Sequence, residues 1–464
     1  MQHRLNPNKF LYLRSFFREV EAQYEIICNH NTCNDYSTQL VAIDLSNYTR
    51  LIENIASKLQ SGTLKPSDLD ASLVEQIYKD VSEPVKEEFK NKWINYDYKE
   101  PGSLIQKFKK NLWQFSAAKT LAELEYINGL LLDKNGRIRP EYQFMQEVKK
   151  ANILFNRNYL QAEYQTAKRG AQMAHLWVKF QEQKHLYPNL VYRTVGDSRV
   201  RPEHAVLNGV VKPIDDPFWK TYYPPNGWRC RCTVMNTAQE VSKGEFEDKT
   251  VKPEFYGNTA LDEEILTSKG SFFKLLNKDH KAKQNAELLK YNMPLEIAYH
   301  GKNRKKVFVS PYADDKDLTP NVESAMIIVD SIGVDVKIRA HIDPAIIKKH
   351  KNPEYEINGR IGDGTHRVGN IKNFIGNSFI KLKEGEQLYG LKETFIVADC
   401  GKISNLSNKE FKAFASDVYN KMKIHYTVKE LYIIYNKKAI VITQSDIKKG
   451  LSYIKTLIKD IKTQ

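Results

Sequence analysis

A segment rich in proline and glycine, which begins at Tyr187 and ends near Asn236, limits what this chain can fold into. Proline breaks a helix because it lacks a backbone N–H and clashes with the preceding turn, and glycine permits backbone angles that other residues avoid. The residues responsible are Pro188, Gly196, Pro202, Gly209, Pro213, Pro217, Pro224, Pro225 and Gly227. The segment therefore predicts a compact, loop-rich module instead of a long helix or a regular sheet.

The residues before this segment show the spacing of amphipathic helices. From Asn8 to Ile27 apolar side chains recur every three or four residues, so that they share one helical face. The same pattern predicts helices over Asp44–Gln60 and Asp70–Val81, and a long helix with one break over Pro140–Gln183. We therefore expect residues 1–185 to be mostly α-helical.

Two regions of different composition follow the module. Residues 238–300 are polar, which predicts a linker with short helices such as Lys281–Tyr291, and residues 301–464 mix helices with strands. The predicted elements of this last part are helix Asn321–Ile332, strands Val334–Ala340 and Tyr355–Ile361, helix Val368–Phe379, strand Thr394–Ala398, helix Lys409–Met422, a hairpin of Glu430–Tyr435 and Ala439–Thr443, and a helix from Ser445. The expected fold is multidomain α+β: a helical region (1–185), the loop-rich module (186–237), the linker, and a small α+β domain (301–464) with a largely antiparallel sheet.

Bulk properties restrict the setting of the chain. A length of 464 residues exceeds what one core usually organises, and no run of apolar residues is long enough for a membrane span. The N-terminus lacks the features of a secretory signal and the five cysteines are sparse, so we expect synthesis in a reducing cytoplasm. Lysine and arginine number 71 against 56 aspartate and glutamate, a net charge of +15 that favours contact with a nucleic acid.

The loop-rich module contains a candidate metal site. Cys230 and Cys232 are close enough in sequence to bind one ion, and His204 with a fourth ligand such as Asp197 would complete a tetrahedral structural zinc site. A second interpretation stays open, in which the two cysteines are small buried apolar residues of a strand and His204 caps a turn.

The same module resembles the phage Mu F-like head-morphogenesis family. The matching positions are Arg193, Thr194, Asp197, Arg201, His204, Leu207, Gly209, Trp219, Pro224, Pro225, Asn226, Gly227, Trp228, Cys230, Arg231 and Cys232. The resemblance covers residues 1–236 and implies a minor head protein of a phage or prophage. It also implies a place in the virion, inside the capsid, with the portal and capsid proteins as partners, after synthesis in the cytoplasm of a bacterial host.

Ionisable side chains concentrate around the predicted strand Tyr355–Ile361. Alternate residues of a strand share a face, so Glu356, Asn358 and Arg360 are expected to point together. The group lies within 32 positions and comprises His341, His350, Glu354, Glu356, Arg360, Asp363, His366, Arg367 and Lys372. A polar face beside several basic residues suits a phosphodiester substrate.

This group supplies what a metal-independent ribonuclease requires: a base for the 2′-hydroxyl, an acid for the leaving oxygen and cations for the charge on phosphorus. His341 or His366 is a candidate for base or acid, and Glu356 for the other role. The candidates for the cationic clamp are Arg360, Arg367 and Lys372. Two alternatives stay open: Glu356 and Asp363 bind Mg²⁺ in a DNA nuclease, or the charges form a solvated strand face without catalysis.

Residues 320–455 resemble the C-terminal toxin domains of contact-dependent inhibition proteins, which are tRNA nucleases of the barnase–EndoU–colicin–RelE-like fold. The resemblance rests on Lys351-Asn352-Pro353-Glu354-Tyr355, on Ile357-Asn358-Gly359-Arg360-Ile361-Gly362-Asp363 and on the order of elements. It implies tRNA cleavage, an immunity protein as partner, and roles for Glu354, Asp363 and His341. Gly364-Thr365-His366 stands where many members carry lysine. The alternative is a purely structural protein near the portal whose basic last domain binds packaged DNA, so enzymatic activity stays open.

Overall fold

The computed structural model describes residues 12–20, 45–243, 251–366, 375–390, 392–401 and 407–463. These residues divide into two compact units. The first unit combines the described parts of Met1–Lys90 and Leu104–Ala286, and the second combines Asn91–Ser103 with the described parts of Glu287–Gln464. The fold is multidomain α+β, as the sequence predicts. None of the described helices is both long enough and apolar enough to cross a membrane.

Helices make up most of the first unit. They span residues 12–20, Ser46–Ser61, Ala71–Phe89, Leu104–Gly129, Glu141–Ile153 and Leu160–Gln183, with a 3₁₀ turn at Pro66–Asp68 and a π-helical turn at Leu154–Tyr159. The predictions of a helix over Asp44–Gln60 and of one break within Pro140–Gln183 are confirmed. Of the helix predicted over Asn8–Ile27, only residues 12–20 are described, and they are helical.

The helix Leu104–Gly129 lies at the centre of this unit and was not predicted. It is buried on nearly all sides, and its buried residues include the polar side chains of Lys119 and Glu123 as well as Phe108 and Trp113. A helix that is buried all round has no polar face, so the three-to-four spacing of apolar residues disappears from its sequence.

A three-stranded antiparallel sheet forms the frame of the loop-rich module. Its strands are β1 (Asn189–Arg193), β2 (Val211–Pro213) and β3 (Thr233–Thr237), with β1 in the middle. Short helices at Pro202–Ala205 and Trp219–Tyr222 connect them. Trp219 is fully buried and donates its indole N–H to the carbonyl oxygen of Pro213 at 2.9 Å, so its ring supplies the core that the short strands cannot provide.

The segment predicted to be a linker contributes folded elements to the first unit. It contains a 3₁₀ turn at Pro253–Phe255 and helices at Ser271–Lys278 and His280–Leu288. Phe272 and Phe273 pack against Phe115, with ring centroids 6.0 and 6.3 Å apart. These apolar contacts fix the described part of the segment, residues 251–286, within that unit.

An eight-stranded mixed sheet forms the second unit. Its strands are β4 (Glu296–His300), β5 (Lys306–Val309), β6 (Val336–Ile338), β7 (Tyr355–Ile357), β8 (Arg360–His366), β9 (Thr394–Asp399), β10 (Val428–Tyr435) and β11 (Lys438–Thr443). They lie side by side in chain order, with antiparallel pairs β4–β5, β6–β7, β7–β8 and β10–β11 and parallel pairs β5–β6, β8–β9 and β9–β10. Antiparallel pairs are thus the majority.

Helices cover both faces of this sheet. The helix Leu318–Ile332 packs with Phe395 and Val397 of β9, and three helices pack with Ile396 and Ala398 of the same strand. These three helices are Gly376–Tyr389, Asn408–Ile424 and Leu451–Thr463, and shorter ones lie at Asn91–Ile94 and Gln444–Lys448. Because successive residues of a strand point to opposite faces, the two cores are on opposite sides of the sheet. Residues 368–374 of the helix predicted over Val368–Phe379 lie outside the described residues.

The predicted strand Tyr355–Ile361 is wrong, because the structure contains a tight hairpin there. Strands β7 and β8 pair with Glu356 opposite Ile361 and Ile357 opposite Arg360. Asn358 and Gly359 form the turn with φ of 51° and 76°, the angles that a two-residue hairpin turn needs and that Asn-Gly favours. Consequently Glu356 and Arg360 do not share a face with Asn358.

Candidate functional site

Three residues of the loop-rich module converge on one buried point. His204 lies in the short helix Pro202–Ala205, whereas Cys230 and Cys232 lie in the stretch that leads into β3. The Nδ1 of His204 is 3.8 Å from the Sγ of each cysteine, and the three ligand atoms lie within 4.8 Å of one another. Each side chain is at most 4% exposed, and both thiols are free. The structure therefore brings together three of the four predicted zinc ligands.

The imidazole of His204 is held in one orientation by a second hydrogen bond. Its Nε2–H donates to the carbonyl oxygen of Asn226 at 3.2 Å, which leaves the lone pair of Nδ1 directed at the two sulfurs. Asn226 is fixed in turn by Tyr192, whose hydroxyl donates to Oδ1 of Asn226 at 2.9 Å. A hydrogen bond of this kind on the second nitrogen is typical of metal-binding histidine.

Gly227 makes room for this arrangement. A Cβ atom at that position would lie 2.9 Å from a guanidinium nitrogen of Arg201 and 3.8 Å from Cε1 of His204. The absence of a side chain lets Arg201 reach across and donate to the carbonyl oxygen of Trp228 at 2.6 Å. The glycine of the Pro-Pro-Asn-Gly-Trp run is therefore needed for close packing around the histidine.

The surroundings of the two thiols shift their pKa values in opposite directions. A hydrogen bond with Cys232, together with the nearby imidazole of His204, holds the pKa of Cys230 well below its usual range. The same bond to Cys230, together with burial, raises the pKa of Cys232. The positive charge of Arg201 acts on Cys232 in the opposite direction. The pocket thus favours at least one thiolate, the form that binds metals.

Asp197 does not belong to this group, which corrects the predicted fourth ligand. Its two carboxylate oxygens accept hydrogen bonds from the guanidinium of Arg231 at 2.6 and 2.7 Å. Arg231 is also the main reason that the pKa of Asp197 lies below its usual range. A planar guanidinium matches a carboxylate in this two-bond geometry, so Asp197 is an ion-pair partner of the residue between the two cysteines.

His366 is the centre of a polar group in the second unit. Its Nε2 lies 2.7 Å from Oδ1 of Asn321, and its Nδ1 lies 3.4 Å from Oγ of Ser324 and 3.5 Å from a carboxylate oxygen of Asp399. Ser324 donates to the same carboxylate at 2.7 Å. Burial raises the pKa of Asp399, but hydrogen bonds from His366, Ser324 and the N–H of Gly401 outweigh it, so that this pKa is lowered. Asp399 is therefore a carboxylate beside the histidine ring.

Glu354 and Asp363 lie near this group but not around one point. Glu354 accepts a hydrogen bond from the backbone N–H of Gly364 at 2.9 Å. Asp363 is buried, and it is three residues from His366 along β8, so the two side chains point to opposite faces of the sheet.

His341 stands apart from His366, outside β8. Its Nδ1 is 3.4 Å from a carboxylate oxygen of Asp314, and its Nε2 is 3.2 Å from the side-chain amide nitrogen of Asn352. The histidine is partly exposed, with 39% of its side chain accessible. Its ring can therefore be reached from solvent.

The remaining candidates are in ion pairs or outside the described residues. Lys337 donates to Glu356 at 2.7 Å, and Arg360 donates to Glu393 at 3.0 Å and to Glu430 at 2.8 Å. Arg367 and Lys372 lie outside the described residues. Consequently, the candidate catalytic residues that the structure describes do not form one cluster.

The partners of His366 were not identified in the sequence. Asn321 and Ser324 are three residues apart on the helix Leu318–Ile332 and therefore lie on one of its faces, and Asp399 ends strand β9. The sequence signal was the presence of this polar pair on the helix face that otherwise carries Leu318, Ala325 and Ile328, which could have indicated a buried polar contact.

Comparison with known proteins gives a partial match. Residues 135–235 match the sequence model of the family described as "Phage Mu protein F like protein". A stretch of 49 residues is 59% identical to the "Putative capsid assembly protein F" of Escherichia phage Mu. This stretch covers 11% of this chain and 11% of that protein. A stretch of 43 residues is 54% identical to the "Mu-like prophage FluMu F protein" of Haemophilus influenzae (strain ATCC 51907 / DSM 11121 / KW20 / Rd), 9% of this chain and 10% of that protein. The matches thus span about a tenth of these relatives' length. No solved structure matches.

Proposed function

Because residues 135–235 are similar to the Mu F-like family, we propose that this chain is a structural protein of a phage or prophage head that acts in capsid assembly. The match to a relative named for capsid assembly carries the proposal. The matched residues are physically connected: Met173, Trp177 and Phe180 of the helix Leu160–Gln183 pack in one core with Trp219 and Tyr223 of the loop-rich module.

More specifically, the proposed role is that of a minor head protein. The chain would be made in the cytoplasm of the bacterial host and would then reach the capsid interior beside the portal. Its expected partners are the portal and capsid proteins. The net charge of +15 supports an interior position, because lysine and arginine contact the phosphates of packaged DNA.

Particle composition tests this proposal. Particles purified from a host that carries the phage or prophage are expected to contain the full chain, and intact particles are expected to protect it from added protease. The variant Trp219→Ala removes a fully buried side chain at a cost of about 3–5 kcal/mol and should lower the yield of normal heads. Val206→Ala, in the same module but 57% exposed, is the matched control. Absence of the chain from purified particles would refute the proposal.

For the second unit we propose a ribonuclease that cleaves tRNA, with His366 as acid or base. The observation that favours it is the placement of His366 between Asn321 and the Asp399 carboxylate, because these two neighbours orient the imidazole for proton transfer. In such a reaction the 2′-oxygen loses its proton to the base and attacks phosphorus, while the bond to the 5′-oxygen breaks and that oxygen takes a proton from the acid. The products are a 2′,3′-cyclic phosphate and a 5′-hydroxyl end.

The partly exposed His341 is the candidate for the second proton-transfer role, since Asp314 and Asn352 hold its ring. Glu354 and Asp363 stay candidates through the family resemblance alone. Glu356 and Arg360 are held in ion pairs, whereas Arg367 and Lys372, outside the described residues, stay candidates for the cationic clamp. A producing cell would need an immunity protein against this activity.

The nuclease test uses the full chain, because the second unit includes Asn91–Ser103, which lies in sequence between the two segments of the first unit. Tyr96 belongs to the core of the second unit, and Thr319 donates to the carbonyl oxygen of Tyr98 at 3.2 Å. Under tight repression, induction of the full chain is expected to arrest growth and to produce discrete tRNA fragments. His366→Ala should abolish both effects, and His300→Ala, an exposed histidine of the same unit, should abolish neither.

The alternatives predict different products in the same experiment. A DNA nuclease would degrade DNA only when Mg²⁺ is present and would leave tRNA intact. A packaging protein would bind DNA in a salt-sensitive way and cut neither polymer. Normal growth with intact tRNA would refute the ribonuclease and leave the head protein unaffected.

A further inference from the structure

We propose that His204, Cys230 and Cys232 bind one zinc ion through Nδ1 and the two Sγ atoms, with a water molecule as fourth ligand. This site goes beyond the head-protein and nuclease proposals and depends on neither. Three groups of the types that zinc prefers are buried together with their ligand atoms facing one another.

The distances fit a tetrahedral ion. With Zn–S near ~2.3 Å and Zn–N near ~2.05 Å at tetrahedral angles, a sulfur ligand and a nitrogen ligand lie about 3.6 Å apart. The structure places Nδ1 of His204 at 3.8 Å from both sulfurs. Both Nδ1–Sγ distances are thus within a few tenths of an ångström of the tetrahedral value, and the two sulfurs lie within 4.8 Å of each other.

The orientation of His204 favours a metal over a disulfide. A disulfide between Cys230 and Cys232 would need nothing from the histidine. Here the imidazole places its lone pair toward both sulfurs and uses its other nitrogen on the carbonyl oxygen of Asn226. This is the arrangement in which a backbone carbonyl fixes the tautomer of a ligand histidine.

The described residues supply three ligands. Among them, no further histidine, cysteine or carboxylate joins the group, and Asp197 is held by the guanidinium of Arg231. Zinc with three protein ligands completes its tetrahedron with water. A cavity lined by Arg201, Glu203 and Glu254 borders His204 as well.

An ion at this point would connect the segment between β1 and β2 to the segment that leads into β3. His204 follows β1, and the cysteines precede β3. The zinc would thus replace part of the apolar core that a module of three short strands lacks, and its removal would loosen the loops on both sides.

Metal content tests the site directly. The full chain, purified under reducing conditions from cells supplied with zinc, is expected to contain one zinc per chain by elemental analysis. Cys230→Ser and Cys232→Ser should each lower that content at least tenfold. Cys400→Ser, a buried free cysteine of the second unit, is the matched control and should retain one zinc.

A measurement on the unaltered chain covers the case in which these variants do not fold. Titration with a mercurial reagent should release the zinc when two thiols have reacted. Replacement of zinc by Co²⁺ should give the charge-transfer absorption of cobalt–thiolate bonds. Zinc-free protein in every preparation, zinc retained in both cysteine variants, or a Cys230–Cys232 disulfide in reduced, zinc-supplied protein would overturn the proposal.

Discussion

The buried charges of the helix Leu104–Gly129 give a stability prediction that depends on pH. Lys119 and Glu123 are fully buried, and Lys119 forms an ion pair with Glu163 and donates to the carbonyl oxygen of Phe155 at 2.9 Å. Asn156 donates to Glu123 at 2.6 Å. The cation is thus already paired, and burial raises the pKa of Glu123 from 4.5 to about 8. Glu123 is expected to be protonated in the folded protein at neutral pH.

The perturbation is Glu123→Gln, which keeps the shape and the acceptor oxygen but removes the titration. A carboxyl whose folded pKa is raised stabilises the fold fully below its unfolded pKa, and this contribution is lost as the pH rises to the folded pKa. The pKa of Glu123 is 4.5 in the unfolded chain and about 8 in the folded protein, so pH 7 lies between them, 2.5 pH units above the unfolded value. At ~1.4 kcal/mol per unit, the wild type loses about 3 kcal/mol from Glu123 between pH 4.5 and pH 7. The Glu123→Gln variant should not lose this stability between the two pH values.

Hydrogen exchange of the amides in Leu104–Gly129 measures this difference locally, which matters because a chain of two units does not unfold in one step. The stability of Glu123→Gln relative to wild type should rise by about 3 kcal/mol between pH 4.5 and pH 7. Glu141→Gln, an exposed residue of the same unit, is the control and should show no such slope. A difference that stays constant over this range would mean that Glu123 is ionised in the folded protein, and the reasoning would fail.

Three further substitutions test other parts of the structure. Lys119→Met leaves the Glu163 carboxylate buried without its cation, so thermal unfolding should show a loss of about 3–5 kcal/mol, and an unchanged midpoint would contradict the buried ion pair. Asp197→Asn weakens the contact with Arg231 but removes no metal ligand, so elemental analysis should still find one zinc per chain, and loss of zinc would make Asp197 a ligand after all. Gly359→Ala forces a side chain into a φ of 76°, so urea unfolding of the second unit should show a loss of about 1–2 kcal/mol, and an unchanged midpoint would argue against the hairpin turn.

The sequence predicted the helices that have one buried face. The helix Ser46–Ser61 buries Tyr48, Ile52, Ile55 and Leu59. This spacing of three or four residues can be recognised from the sequence alone. The helix predicted over Asp70–Val81 begins at Ala71 and continues past Val81 and through Pro84 to Phe89. Ser82, Pro84 and Val85 are buried beyond the predicted end, and this packing outweighs the usual effect of a proline.

For the candidate sites, local contacts were predictable and distant ones were not. His204, Cys230 and Cys232 lie within 29 positions and were identified from residue type alone. Asp197 was wrongly included because the competing guanidinium of Arg231 could not be weighed without coordinates. The partners of His366 lie between 33 and 45 positions away, and only the sheet topology brings them together.

The hairpin turn at Asn358-Gly359 could have been predicted from the sequence but was not. The Asn-Gly pair is among the strongest short-range signals of a hairpin, yet the alternation of Tyr355–Ile361 was interpreted as one strand. The error moved Glu356 and Arg360 onto one face and made them catalytic candidates, whereas each is in an ion pair elsewhere on the sheet.

The order of strands in the second unit has a consequence for how the chain is made. Strands β4 to β11 lie side by side in the order in which a ribosome releases them. Each emerging strand therefore finds its partner already synthesised, and the sheet can grow from one edge without waiting for a later segment. The first edge can be covered as well, because Asn95, which bridges to Ile297 of β4, is translated about 200 residues earlier. Such a sequence of events would keep unpaired edges, the sites of aggregation, few and short-lived during synthesis.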